Sequence, residues 1–336
     1  LREISIPYTV KIIDEGVFIG CSSLKKVVIP SSVTSIEKDA FRACSSLEKI
    51  SIPANVVQIK ESSFGCCSSL KEITLPSSIS RINEYSFFNC SSLSEVTVPS
   101  SVVSIRNDAF NGCSNLAKIT FQKKLQHIGN ASFRNCKSLE QLIIPSSVIS
   151  IGINAFENCS KLAEITFPAN SKLRSIGNGA FNDCKSLKQI TIPLEVTTID
   201  ISTFNGCTSL IQIKFVENSY LESIKNYAFN NCSALKKIDF PFNLKSIGPF
   251  AFNQCASLTD VSFDSLSSIT LIGDHAFCKC SSLKQFIIPK SLDRISRSVF
   301  DECSSLTRVE FESPSSVKVL GDHSFNHCSS LTQIAI

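Results

Sequence analysis

The stretch Cys44-Ser45-Ser46-Leu47-Glu48-Lys49-Ile50-Ser51-Ile52-Pro53, continued by Val56-Val57-Gln58-Ile59 and closed by Ser63-Phe64 ahead of Cys67, decides the fold. Ile50 and Ile52 alternate with Lys49 and Ser51, the pattern of a strand with one buried and one solvated face. Pro53 has no N–H to give to a sheet ladder and stops that strand. Val56 to Ile59 reads as a second short β-like run, and Ser63-Phe64 as a tight turn into the next Cys. Nothing between these runs is long or periodic enough for a regular helix.

The stretch recurs along the whole chain. Cysteine returns as Cys21, Cys44, Cys67, Cys90, Cys113, Cys136, Cys159, Cys184, Cys207, Cys232, Cys255, Cys280, Cys303 and Cys328, at steps of 23 or 25 residues. A Phe stands three residues before each of these Cys and a Leu three residues after it, from Phe18 and Leu24 to Phe325 and Leu331. A period this strict identifies a solenoid. The sequence predicts one solenoid over residues 1–336, built of about fourteen repeats. Its concave face is expected to be a parallel β-sheet of fifteen strands, counting one near Ile4, with short β, 3-10 or irregular segments on the convex face and little or no α-helix. At roughly 4.8 Å per strand the sheet would run about 70 Å. A lone rung cannot enclose its Phe, Leu, Ile and Cys side chains, whereas stacking buries each on its counterpart in the next rung.

From Cys159 to Cys328 the spacing alternates between 25 and 23, so this part is built of 48-residue double repeats. The two extra residues enter between the last inward residue of a strand and the next Ile or Leu, as in Phe167 to Ile176 and Phe215 to Ile224. Loops held by a rigid scaffold are common contact sites, which makes the edge carrying Asn170, Asn218, Tyr220 and Ser265 a candidate surface. The plainer reading is a set of neutral duplicated insertions. Neither end shows a polar cap, and the chain opens Leu1-Arg2-Glu3-Ile4 rather than with an initiator Met, so it is read as an excised segment whose ends continue or pair with a partner.

Composition agrees with one unit counted many times: 43% of residues are apolar, Met and Trp are absent, and 24 Phe stand against four Tyr. The net charge of +4 comes from 33 basic and 29 acidic residues spread along the chain, so neither nucleic acid nor an anionic membrane is implied as a partner. No run of about eighteen apolar residues exists to cross a bilayer.

The registered cysteines should form one inward ladder of free thiols acting as small apolar fillers. Zinc needs ligands converging on a point, and one Cys per rung does not supply that. Parallel side chains are also poorly placed for disulfides between rungs. Cys66 and Cys278, the two outside the register, are candidates for a redox or bridging role. His127, His275, His323 and His327 are too few for a metal site, and no phosphate-binding loop, nucleophile elbow or zinc motif occurs. No catalytic, cofactor or metal residue is therefore assigned, and an enzyme is not expected. Asn-x-Ser acceptors occur at Asn89, Asn130, Asn158 and Asn231; Asn130 lies outside the turn that enters the buried strand.

The outward strand positions carry the surface reading. One column runs Lys26, Lys49, Glu72, Glu95, Lys118, Gln141, Glu164, Gln189, Gln212 and Lys237 and continues beyond. Beside it runs a column rich in Thr and Ser that includes Ser51, Thr74, Thr97 and Thr120. Together they form a polar strip suited to protein docking, the competing reading being an inert solvated face.

The string Leu-x-x-Ile-x-Ile-Pro-Ser-Ser-Val-x-Ser-Ile-x-x-x-Ala-Phe-x-x-Cys-Ser-Ser-Leu, followed nearly letter for letter by Leu47 to Phe64 and Leu93 to Phe110, resembles the BspA-like, Treponema-type leucine-rich repeats over essentially the whole chain. The resemblance implies a leucine-rich-repeat solenoid and a cell-surface or extracellular protein of a host-associated bacterium or protozoan parasite. It further implies adhesion to host cells, matrix proteins or other microbes. Two other readings stay open: an intracellular leucine-rich-repeat scaffold, and the recognition segment of a larger enzyme.

Overall fold

The computed structural model describes residues 1–335 and divides into two units, Leu1–Leu162 and Ala163–Ile336. Each unit is a parallel β-solenoid, and the described residues contain no helix. Every rung has three walls. The first is an outward-facing strand of three or four residues, the second a strand of two residues, and the third a run of turns ending at the registered Cys.

In the first unit the strands Glu3–Ser5, Lys26–Val28, Lys49–Ser51, Glu72–Thr74, Glu95–Thr97 and Lys118–Thr120 pair in sequence order, all parallel. Their register places each residue on its repeat counterpart, Lys49 on Glu72 and Ile50 on Ile73. In the second unit Gln189–Ile192 pairs with Gln212–Phe215, and Lys237–Phe240 with Asp260–Phe263, in the same way. The second residue of each of these strands points inward, so Ile50, Ile73, Val96, Ile119, Ile190 and Ile238 are buried.

The interior is a set of columns. In the first unit Phe18, Phe41, Phe64, Phe87, Phe110, Phe133 and Phe156 stack ring on ring, with centroids 5.1–5.7 Å apart and planes within 14° of parallel. In the second, Phe181, Phe204, Phe229, Phe252 and Phe277 do the same at 5.2–5.5 Å. The ring spacing follows from the rung spacing, because one Phe per turn must fit the repeat distance of a parallel sheet. Offset stacking of this kind adds about 0.5–1.5 kcal/mol per pair beyond the area buried.

The third wall holds the feature least visible in the repeat. Two residues of every rung, five and one before the registered Cys, have left-handed backbone: Asp39 and Ala43 in one rung, Tyr227 and Asn231 in another, at φ between 55° and 59°. Alternate residues here donate to the next rung, as Asp39, Phe41 and Ala43 do to the carbonyls of Glu61, Ser63 and Gly65 at 2.8–3.0 Å. The intervening residues close turns within their own rung, as Arg42 N–H does on the Asp39 carbonyl. The wall is thus a stack of turns hydrogen-bonded in register, and the left-handed positions prevent it from winding into a helix.

The ladders are interrupted in places, and at some of them a side chain departs from the repeat. Gln285–Ile288 does not pair with Asp260–Phe263. Its inward residue is Phe286, where other rungs carry Ile, Val or Leu, and the ring wedges edge-on against Phe277 and Phe300, at 5.3 and 4.7 Å. That column opens there to 6.1 Å. On the second wall, pairing is lost between Gln58–Ile59 and Arg81–Ile82 and again between Leu271–Ile272 and Arg294–Ile295. The residue after each Arg-Ile pair then caps the orphaned carbonyl: Asn83 Nδ2 donates to Ile59 O, and Ser296 Oγ donates to Ile272 O.

A Phe column in contact on both sides cannot lose a member without a cavity. Phe110→Ala should cost about 3–5 kcal/mol, read as the loss of unfolding free energy in urea. Faster amide exchange should be concentrated in the rungs next to Phe110. A loss below about 1 kcal/mol would mean that the neighbouring rungs collapse onto the gap.

Candidate protein-binding face

Alternation in each strand turns the predicted column outward. Lys26, Lys49, Glu72, Glu95, Lys118, Gln141, Glu164, Gln189, Gln212 and Lys237 are all exposed, each as the first residue of its strand. The register then pairs their charges. Lys49 Nζ lies 2.9 Å from Glu72 Oε2, and Lys118 Nζ lies 2.7 Å from Glu95 Oε1. In the column alongside, Lys71 Nζ is 3.0 Å from Glu48 Oε2. Hydrogen bonds from Lys49 and Lys71 hold the carboxyls of Glu72 and Glu48 below their ordinary values. Exposed pairs of this kind are worth little to stability; their effect is to cancel charge across the strip.

Apolar side chains punctuate the strip. Val28 is 47% exposed, Ile143 70% and Ile287 45%, in the column that holds Ser51, Thr74, Thr97 and Thr120 in other rungs. The edge-loop residues Asn170, Asn218, Tyr220 and Ser265 are exposed as well. Each longer loop is closed by the same device, a Ser hydroxyl accepting the N–H two residues on, as Ser171 does from Leu173 and Ser219 from Leu221. Asn218 adds a left-handed residue outside the two regular columns.

The cysteine ladder is buried but is more than filler. In both units registered thiols donate to a Phe carbonyl of the preceding rung: Cys44 to Phe18, Cys67 to Phe41, Cys90 to Phe64, Cys207 to Phe181 and Cys280 to Phe252, at 3.1–3.3 Å. All sixteen cysteines are free. Burial, reinforced by the neighbouring thiol of the ladder, pushes Cys44 from the ordinary value of 9.0 to about 12. Cys90, Cys136, Cys232 and Cys280 are held well above 9.0 for the same reasons.

Several residues singled out in the sequence belong to the left-handed columns. Cys66, His275, His323 and His327 occupy such positions, at φ between 55° and 61°, as do the acceptor asparagines Asn89, Asn158 and Asn231. Their common placement is a backbone requirement, which Gly, Asn and Asp meet in other rungs. The structure does not bring the four His together. Cys278 is buried, with its thiol raised to about 11. Asn130 is exposed, but its side-chain oxygen accepts the Ile153 N–H. No group of three or more His, Cys, Asp or Glu fit to hold a metal ion occurs among the described residues. No helix among them is long and apolar enough to cross a membrane.

The profile of the BspA type leucine-rich repeat region matches the chain in overlapping segments, 1–117, 103–220 and 212–332. A leucine-rich repeat protein from Bacteroides ovatus is 30% identical, with a TM-score of 0.80 over 96% of this chain and 78% of that one. A leucine-rich cell surface protein from Faecalibacterium prausnitzii is 27% identical, with a TM-score of 0.52 over 86% of this chain and 87% of its own. A leucine-rich repeat protein from Eubacterium ventriosum shares the fold at 22% identity and a TM-score of 0.53. No curated protein matches the chain.

A thiol that binds its proton more tightly folded than unfolded contributes stability that is complete below the unfolded value and drains away as pH rises through the folded one. The urea midpoint should therefore fall from about pH 9 upward, and fall less steeply once Cys44 and Cys255, both raised to about 12, are replaced by Ala. A disulfide-exchange reagent at neutral pH should modify native Cys21, Cys66 and Cys328 and reach the thirteen buried thiols only after unfolding. Full reaction of the native protein would contradict the ladder.

Proposed function

The chain belongs to the BspA type leucine-rich repeat family, whose repeats generally build protein-binding modules, and from that membership we propose that it is a non-enzymatic cell-surface adhesin that docks host-cell or matrix proteins on its strand face. The observation that carries this reading is the outward column itself: polar, exposed and repeated in register, with its charges largely paired and a few bare apolar side chains between them. Interfaces whose core is apolar and whose surround is polar and satisfied take this form. The similarity to a leucine-rich cell surface protein supports the location. Sixteen free cysteines favour a second reading, an intracellular scaffold, since reducing compartments keep thiols free. Burial of thirteen of them makes them compatible with an oxidising surface as well.

Reversing Lys49 and Lys118 together to Glu sets like charges against Glu72 and Glu95. Binding of the full chain to host cells or plated matrix proteins should then weaken, with circular dichroism and the urea midpoint unchanged; unaltered binding would remove the strand face from consideration. Antibody against residues 1–336 should label intact source cells. Labelling only after permeabilisation would support the intracellular scaffold instead.

A further inference from the structure

The strand face is not uniform. At the rung of Lys26–Val28 two depressions adjoin, one of about 600 Å³ and one of about 130 Å³, and both are lined by Lys26 and Val28. The larger is walled mainly by apolar surface, Val28 and Pro53 among it, and its rim carries Lys25, Lys26 and Lys49 together with Glu48. Its size lies within the range of ligand-binding clefts.

Charge decides what fits. Along this strip Lys49 is taken by Glu72, and Glu48 by Lys71. Lys25 and Lys26 enter no ion pair among the described residues, and Lys26 stands in register beside Lys49. Glu3 lies in register on the other side of Lys26 but makes no ion pair with it among the described residues. With Lys49 and Glu48 each held by a partner in the next rung, Lys25 and Lys26 leave the rim with an excess of positive charge around an apolar floor. Val28 supplies exposed apolar area where Ser51 and Thr74 stand in the following rungs. Apolar floor and cationic rim together select a large apolar side chain with carboxylates on its flanks.

We propose that the depression about Lys26 and Val28 is the anchoring point of the strand face, receiving an apolar side chain presented by an acidic peptide segment of the partner protein. This rests on the strand face being the docking surface and names the chemistry that it selects. The Lys25 and Lys26 ammonium groups take the flanking carboxylates while the apolar side chain covers Val28 and Pro53. Added salt weakens the ionic part and spares the apolar part.

The test uses the full chain and a fluorescein-labelled peptide with one central Trp flanked on each side by Asp and Glu, followed by anisotropy. Two comparison peptides carry Lys and Arg flanks, or Ala in place of Trp. The acidic Trp peptide should bind saturably and weaken as sodium chloride is raised, and the two comparisons should bind at least about tenfold more weakly. Lys25→Glu with Lys26→Glu, and separately Val28→Ser, should each weaken it by about tenfold or more. Lys225→Glu, an exposed position off the strand face that follows Ser223–Ile224 in the second unit, should leave it unchanged. Absence of saturable binding, equal binding of the basic peptide, or indifference to both the lysine and the valine variants overturns the proposal. The wider reading is tested separately: loss of host-protein binding in the Lys49→Glu, Lys118→Glu protein with no peptide binding at Val28 sinks the anchor alone. Peptide binding with host-protein binding untouched by that reversal keeps the anchor and sinks the wider strip.

Discussion

Within each unit a buried S–H that donates to a carbonyl ties one rung to the one before it. The Phe41 carbonyl receives the backbone N–H of Cys44 from its own turn and the thiol of Cys67 from the following rung. A residue placed there has to be small enough for the interior, apolar enough to be buried, and able to donate. Ala fails the last condition, and Ser pays more to leave water. Cys meets all three, and because its donor reaches across rungs it adds to the register that the backbone ladders set, as well as packing within a turn. The parallel Phe rings follow, since rungs locked in register set each ring over its counterpart.

With the interior fixed in this way, variation is confined to the outside and to a few tolerated faults. The outward column changes from Lys to Glu to Gln without disturbing Ile50 or Ile73 beneath it. Where the interior rule is broken, as by Phe286, the strand ladder parts while the Phe column stretches but continues. Arg81 and Arg294 mark faults on the second wall, and there a neighbouring amide or hydroxyl takes over the carbonyl that lost its partner. Such compensation is expected wherever a buried backbone group would otherwise go unpaired.

The period, the two strands per rung and the inward Phe, Cys, Leu and Ile are all legible in the sequence, because each depends on side-chain polarity repeating at fixed spacing. The outward positions of Lys26 to Lys237 follow from the same alternation. The left-handed columns escape such a reading, since Asp39, Tyr85, Phe250 and His275 share a backbone angle and no side-chain chemistry. The glycines Gly16, Gly20, Gly112, Gly179 and Gly206 in those columns, together with the recurrent Asn before Cys, were the available signal. The ion pairs on the strip, and the unpaired state of Lys25 and Lys26, depend on rotamers and on register between rungs, which spacing alone does not give.

Infrared spectroscopy of the S–H stretch tests the thiol ladder most directly, because the band moves to lower frequency when a thiol donates to a carbonyl. In the native protein most of the S–H intensity should lie below the position that it takes in concentrated denaturant, and Cys113→Ala should remove part of that lowered component. A native band coincident with the denatured one would mean that the thiols only fill space and that register is held by the backbone alone.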